Sequence, residues 1–127
     1  MTLWLRTDNP QAEVILLSDD ADLIAQKTWH AHRSLGVDLL PTIIELLQAN
    51  VVAPKELKSV VVYEGPGSFT GLRIGIAAAN SIAYSLNIPV TGVDEKKWNS
   101  KTIKSSSSDA WVLPQYGRQP HITQQKK

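Results

Sequence analysis

The chain has 127 residues, 43% hydrophobic and 20% charged, with a formal net charge of +1. This is the profile of one globular domain, long enough to bury a core without cross-links. It contains no cysteine, which excludes disulfides, thiolate zinc sites and a cysteine nucleophile and leaves packing as the source of stability. No apolar stretch reaches the length of a membrane span, and Met1-Thr2-Leu3-Trp4-Leu5-Arg6 lacks the pattern of a signal peptide, so a cytoplasmic protein with no membrane contact is expected.

Charge is unevenly distributed. Residues 1–95 hold six Lys/Arg against eleven Asp/Glu, a net −5, whereas residues 96–127 hold seven against one, a net +6. A basic tail behind an acidic body either approaches nucleic acid or folds back onto the body.

In chain order, residues 2–7 and 12–18 are apolar and strand-like, with Asp8-Asn9-Pro10 supplying turn chemistry for a hairpin between them. Residues 22–29 fit a third strand or a short helix. His30 and His32 would share one side of an extended segment, the spacing of either a metal-ligand pair or a polar surface pair; no third ligand is evident, so no metal is expected. From residue 34 to 50, Leu35, Leu39, Leu40, Ile43, Ile44, Leu46 and Leu47 recur at helical spacing, with Glu45 and Gln48 on the other face. Pro41 requires that this helix begin near it or bend there. Residues 51–58 form a linker into the next strand.

Val60-Val61-Val62-Tyr63 reads as a buried strand ending at Glu64. A loop follows, Gly65-Pro66-Gly67-Ser68-Phe69-Thr70-Gly71, in which Ser68 and Thr70 can cap a helix starting near Gly71. Strand, glycine-rich loop and helix start come in the order used by phosphate-binding loops. However, Gly71 is followed by Leu72 and Arg73, and no lysine stands where one would reach a β- or γ-phosphate. The alternative is a tight strand-to-helix turn without a ligand.

The second helix is predicted over residues 71–86. At 100° per residue, Leu72, Ile76, Ala79, Ala83 and Leu86 share the face assigned to the sheet, while Arg73, Ala77, Asn80 and Tyr84 lie opposite. Arg73 is the only charge there. Such a surface suits close approach by another helix, from a partner or from the chain's own first helix. Pro89-Val90-Thr91-Gly92-Val93 then reads as a strand pairing beside residues 60–63. Beyond it, residues 105–108 are a polar, flexible stretch, residues 111–113 are expected to dock on the domain, and residues 121–127 are expected to be loose.

The segment from Gly65 to Gly75, Gly-Pro-Gly-Ser-Phe-Thr-Gly-Leu-Arg-Ile-Gly, closely resembles the signature of the TsaB family, also called YeaZ. Leu39-Leu40-Pro41 followed by an amphipathic run is similar to that family as well. The resemblance implies an α/β fold: a single actin-like ATPase lobe (ASKHA, ribonuclease H-like) with a mixed five-stranded sheet and two main helices over residues 1–98. The second lobe of full-length members is missing, and residues 99–127 form a basic tail in which Ala110-Trp111-Val112-Leu113-Pro114 faintly resembles that lobe's first strand. Family members open with a strand ending Asp-Thr-Ser. Here the matching positions are Arg6, Thr7 and Asp8, so an arginine replaces a metal-linked carboxylate, and only Asp8, two positions along, could substitute for it.

The family is implied to be catalytically inert and to pair with the enzyme TsaD, which together with the ATPase TsaE installs threonylcarbamoyl on adenosine 37 of transfer RNA. By resemblance, the partner-binding residues are Pro41, Ile44, Glu45 and Gln48 on the first helix and Arg73, Ala77, Asn80 and Tyr84 on the second, a face that could also carry a homodimer. Transfer RNA would be met only through the complex or the basic tail. No cofactor and no catalytic residue is expected, since the chain has no nucleophile elbow, carboxylate pair or metal quartet; Ser68 lacks an identified base and is better explained as a cap. Two functions stand: an interaction subunit acting on its partner by population shift, or a small phosphate- or nucleotide-binding domain with hydrolytic activity of its own.

Overall fold

A computed structural model describes residues 1–8, 10–31, 34–67 and 69–101, apart from the side chain of Phe69. His32, Ser68 and everything expected of the tail from residue 102 onward lie outside the described residues. The element order is β1 (Thr2–Arg6), β2 (Gln11–Leu17), β3 (Leu23–His30), α1 (Leu35–Ala49), a 3-10 turn (Pro54–Glu56), β4 (Ser59–Tyr63), α2 (Phe69–Leu86), β5 (Val90–Val93) and α3 (Glu95–Ser100).

The five strands form one mixed sheet in the order β3-β2-β1-β4-β5. β1, β2 and β3 make an antiparallel meander, with Trp4 opposite Ile15 and Val14 opposite Lys27, while β4 runs parallel to both β1 and β5. Segment 22–29 is thus a strand, not a short helix. β1 is the central strand with β4 beside it, and Leu3, Trp4, Leu5, Val60, Val61 and Val62 are all buried. Side chains alternate across a strand, so β1 feeds two layers. Leu3, Leu5 and the following Thr7 face α2, whereas Trp4 and Arg6 face α3, whose Trp98 ring lies 5.5 Å from the Trp4 ring, edge on.

α1 starts at Leu35 and runs unbroken through Pro41, so the helix does not begin near the proline. The buried row Leu35, Leu39, Ile43 and Leu47 explains this. Burying four such side chains contributes about 1.5–3 kcal/mol each, against about 3 kcal/mol for a proline inside a helix. α2 begins at Phe69 rather than Gly71, which places Thr70 inside the first turn and removes it as a cap. Leu72, Ile76, Ala79 and Ala83 are buried as the periodicity predicts, and Leu86 is half-buried.

α3 has no counterpart in the elements predicted from sequence. Its start is nonetheless written locally, because the Asp94 side chain accepts a hydrogen bond from the Lys97 amide at 3.0 Å and Glu95 sits in the first turn. An N-cap aspartate followed by an acid is a helix-start signal, and Trp98 then anchors the short helix in the core.

Three glycines at four-residue spacing set how close α2 lies to the end of β1. A Cβ added at Gly71 would overlap the Thr7 carbonyl oxygen, one at Gly75 would overlap Thr7 Oγ1, and one at Gly67 would stand 2.7 Å from Asp8 Cβ. Contact is completed by Thr7, 2% exposed, whose hydroxyl donates to the Gly71 carbonyl at 2.6 Å. Gly75→Ala is therefore expected to lower the unfolding free energy by about 2–3 kcal/mol, the cost of forcing a methyl into a packed core. Gly36 in α1 supplies the control: a Cβ there meets nothing within 4 Å, so Gly36→Ala should stabilise by about 0.5 kcal/mol. Chemical denaturation of both variants checks the pair, and a neutral Gly75→Ala would refute the close-approach reading.

Candidate functional site

Two regions carry the residues singled out by sequence. The first is the end of the sheet where β1 and β4 deliver Arg6, Thr7, Asp8, Tyr63 and the glycine-rich loop. Arg6 and Asp8 share a face, as strand alternation requires, and they pair: Nε meets Asp8 Oδ1 at 2.7 Å and Nη2 meets Oδ2 at 3.3 Å. The guanidinium also donates to Glu95 of α3 at 2.7 and 3.0 Å, and stacks 3.9 Å from the centre of the Tyr63 ring.

The Arg6 side chain is only 12% exposed. Burial pulls its pKa down, but hydrogen bonds and charge attraction from Glu95 and Asp8 outweigh this and hold it above the ordinary value. The hydrogen bond from Arg6 in turn holds the Glu95 carboxyl below its usual value. Burial pushes the Tyr63 hydroxyl up, and that hydroxyl donates to the Pro66 carbonyl at 2.6 Å, tying the strand end to the loop. Gly65 takes a φ of 118°, a conformation that favours glycine.

This geometry bears on the phosphate-cradle alternative. Gly67 and Gly71 leave room for the protein's own Asp8 and Thr7, and the Asp8 carboxylate is neutralised by Arg6. It is thus engaged internally. At the adjacent ends of β4 and β5, burial raises the pKa of the Glu64 carboxyl, and the charge of Asp94 adds to the shift. Among the described residues no group of three or more His, Asp or Glu stands together in a way that could hold a metal ion. His30 is an exposed residue at the end of β3.

The second region is the outward face of α1 and α2. Pro41, Ile44, Glu45 and Gln48 are exposed on α1, Arg73, Ala77 and Tyr84 are exposed on α2, and Asn80 is half-buried. The two helices touch, yet α1 does not cover the α2 face, since Tyr84 is 77% exposed. Sequence reasoning missed part of this surface. Val37, at 75% exposure, and Leu40 also stand out on α1, although periodicity counts Leu40 in the apolar arc. The available signal was the heptad-like offset of Val37, Leu40 and Ile44 from the buried row Leu35, Leu39, Ile43 and Leu47.

Comparisons with known proteins agree with this architecture. Residues 26–113 match the family model described as TsaD: tRNA N6-adenosine threonylcarbamoyltransferase. The tRNA threonylcarbamoyladenosine biosynthesis protein TsaB of Bacillus subtilis is 36% identical over 91 residues, which are 72% of this chain and 39% of that protein. The solved YeaZ from Pseudomonas aeruginosa superposes with a TM-score of 0.67 at 25% identity, over 79% of this chain and 48% of that one. Another structure, of a protein described as similar to the peptidase YEAZ from Pseudomonas aeruginosa, gives 0.68 at 30% identity, over 73% and 42% of the two chains. The chain thus spans less than half the length of the relatives it matches. A mixed five-stranded sheet backed by α1 and α2, the glycine signature seated on Thr7, and a family match across most of the sequence place this chain in the TsaD family, with the actin-like fold and with TsaB (YeaZ) proteins as its relatives.

Proposed function

We propose that the chain is a non-catalytic docking subunit in the biosynthesis of threonylcarbamoyladenosine on transfer RNA, pairing with a TsaD-type protein through α1 and α2. The observation that carries this reading is the exposed face itself. Val37, Leu40, Ile44, Ala77 and Tyr84 are apolar side chains left in solvent on two adjacent helices, and contiguous exposed apolar surface marks interaction sites. Small side chains along α2 let a second helix approach its axis. Tyr84, large and rigid, is suited to anchor the contact.

Two further features support the absence of chemistry. The end of β1, where an actin-like ATPase would engage a metal-bound nucleotide, is filled by the Arg6–Asp8 pair and by α2 packed onto Thr7. The Thr7 hydroxyl is buried and spent on the Gly71 carbonyl. The subunit would act by holding its partner in one conformation, since a protein that binds one of two states better shifts the population toward it. In the absence of that partner, the same face would carry a homodimer.

Ala77→Glu together with Tyr84→Glu should abolish co-elution with the organism's own TsaD and leave far-UV circular dichroism and Tm unchanged, because both residues are exposed. Undiminished co-elution of the double variant would overturn the assignment. Calorimetry of the isolated chain with ATP and magnesium should show no binding; a micromolar Kd would instead favour a nucleotide-binding domain.

A further inference from the structure

Gln26, Ile15, Trp4, Val61 and Thr91 are partners in register and form one row across all five strands. Paired residues share a face of the sheet. Trp4 sets this row on the side of α3, because the Trp98 ring packs against it. Ile15, Trp4 and Val61 are buried.

The described helices cover the two faces unequally. α1 and α2, with 15 and 18 residues, extend about 22 and 27 Å on the opposite face. On the side of the row stands α3, whose six residues extend about 9 Å, whereas five strands at about 4.8 Å spacing make the row about 19 Å wide. β1, β4 and β5 are mutually parallel, and such strands are buried on both faces. α3 meets β5 and, through Glu95 and Trp98, β1. Its length is used up between those strands, and Ile15 of β2 lies outside that span.

The chain leaves α3 over this same face. Lys101 is left-handed and ends the helix, and its Nζ stands 5.4 Å from the centre of the Trp4 ring. Eight residues, 102–109, separate it from Ala110-Trp111-Val112-Leu113-Pro114, the longest apolar run beyond α3. At about 3.3 Å each they span up to about 26 Å, enough to reach any point of the row. Trp4 Nε1 is buried with no acceptor among the described residues, and an extended segment crossing there would offer it a backbone carbonyl. Charge favours the same occupant, since a tail of net +6 follows a body of net −5.

We infer that residues 110–114 of this chain dock on the α3 side of the sheet, with Trp111 against Ile15 and Trp4, and complete the cover that α3 begins. The tail is then a structural element of its own domain, on the face opposite α1 and α2. This does not rest on the docking function proposed above, and either can fail without the other.

Nuclear Overhauser spectra of the full chain test the inference. Cross-peaks between the Trp111 ring protons and the Ile15 methyls are expected, and Trp111→Ala should abolish them and lower Tm by about 5 °C or more. A Trp111 ring without contacts to Ile15, Trp4 or Val61 in the wild-type chain would overturn the inference, whether or not the variant folds. So would cross-peaks found only between labelled and unlabelled chains in a mixture, which would assign the face to a second copy.

Discussion

The fold depends on how closely α2 approaches the end of β1. Helices normally rest on a sheet across a layer of side chains, but here backbone meets backbone, with Gly71 and Gly75 lying where any Cβ would strike Thr7. The Thr7 hydroxyl donates into the helix at the Gly71 carbonyl and fixes the approach. Two consequences follow. α2 is pressed against β1 and β4 along Leu72, Ile76, Ala79 and Ala83, and its opposite face is turned outward. In the docking proposed above, a face on an element packed this closely would lose little conformational freedom on binding.

The second constraint is electrostatic. Arg6 brings a full charge into a site where its side chain is 12% exposed, and burying a lone charge there would cost several kcal/mol. Asp8 from the same strand and Glu95 from α3 surround it, and the Tyr63 ring covers it. Because Glu95 and Trp98 belong to α3, the cluster also joins the last described helix to the first strand, Glu95 through Arg6 and Trp98 through Trp4. Lys101 stands 4.4 Å over the Trp98 ring, its pKa pulled down by burial. This end of β1 and β4 is thus organised around contacts the protein makes with itself.

Much of this was legible in the sequence, for reasons that differ by element. Three consecutive valines in β4 and the 3.6-residue rhythm of α2 are local patterns, and both elements form where they are expected, within two residues at the ends. The resemblance of residues 65–75 to a family signature pointed to the fold because an eleven-residue match seldom arises by chance. The role of its glycines was not legible. Gly71 and Gly75 face Thr7, 64 residues away for the Thr7–Gly71 hydrogen bond, and a single sequence does not show which residue a glycine makes room for. α3 was overlooked although Asp94 marks its start, because six residues are too few for a periodicity to register. The Arg6–Glu95 bond spans 89 residues and left no local trace.

The surface shows a different limit of sequence reading. Helical spacing separates buried from exposed positions, and it did so for Leu72 and Ile76 against Arg73 and Ala77. It does not say whether an apolar residue on the exposed side is incidental. Val37, Leu40, Ile44 and Tyr84 acquire meaning only when the structure puts them on neighbouring helices with α1 drawn aside from α2's outer face. Single exposed apolar residues are ordinary on any protein; a row of them is not. The same packing that fills the end of β1 also turns Ala77 and Tyr84 of α2 outward, so the filled corner and that part of the exposed face follow from one arrangement of α2 on β1.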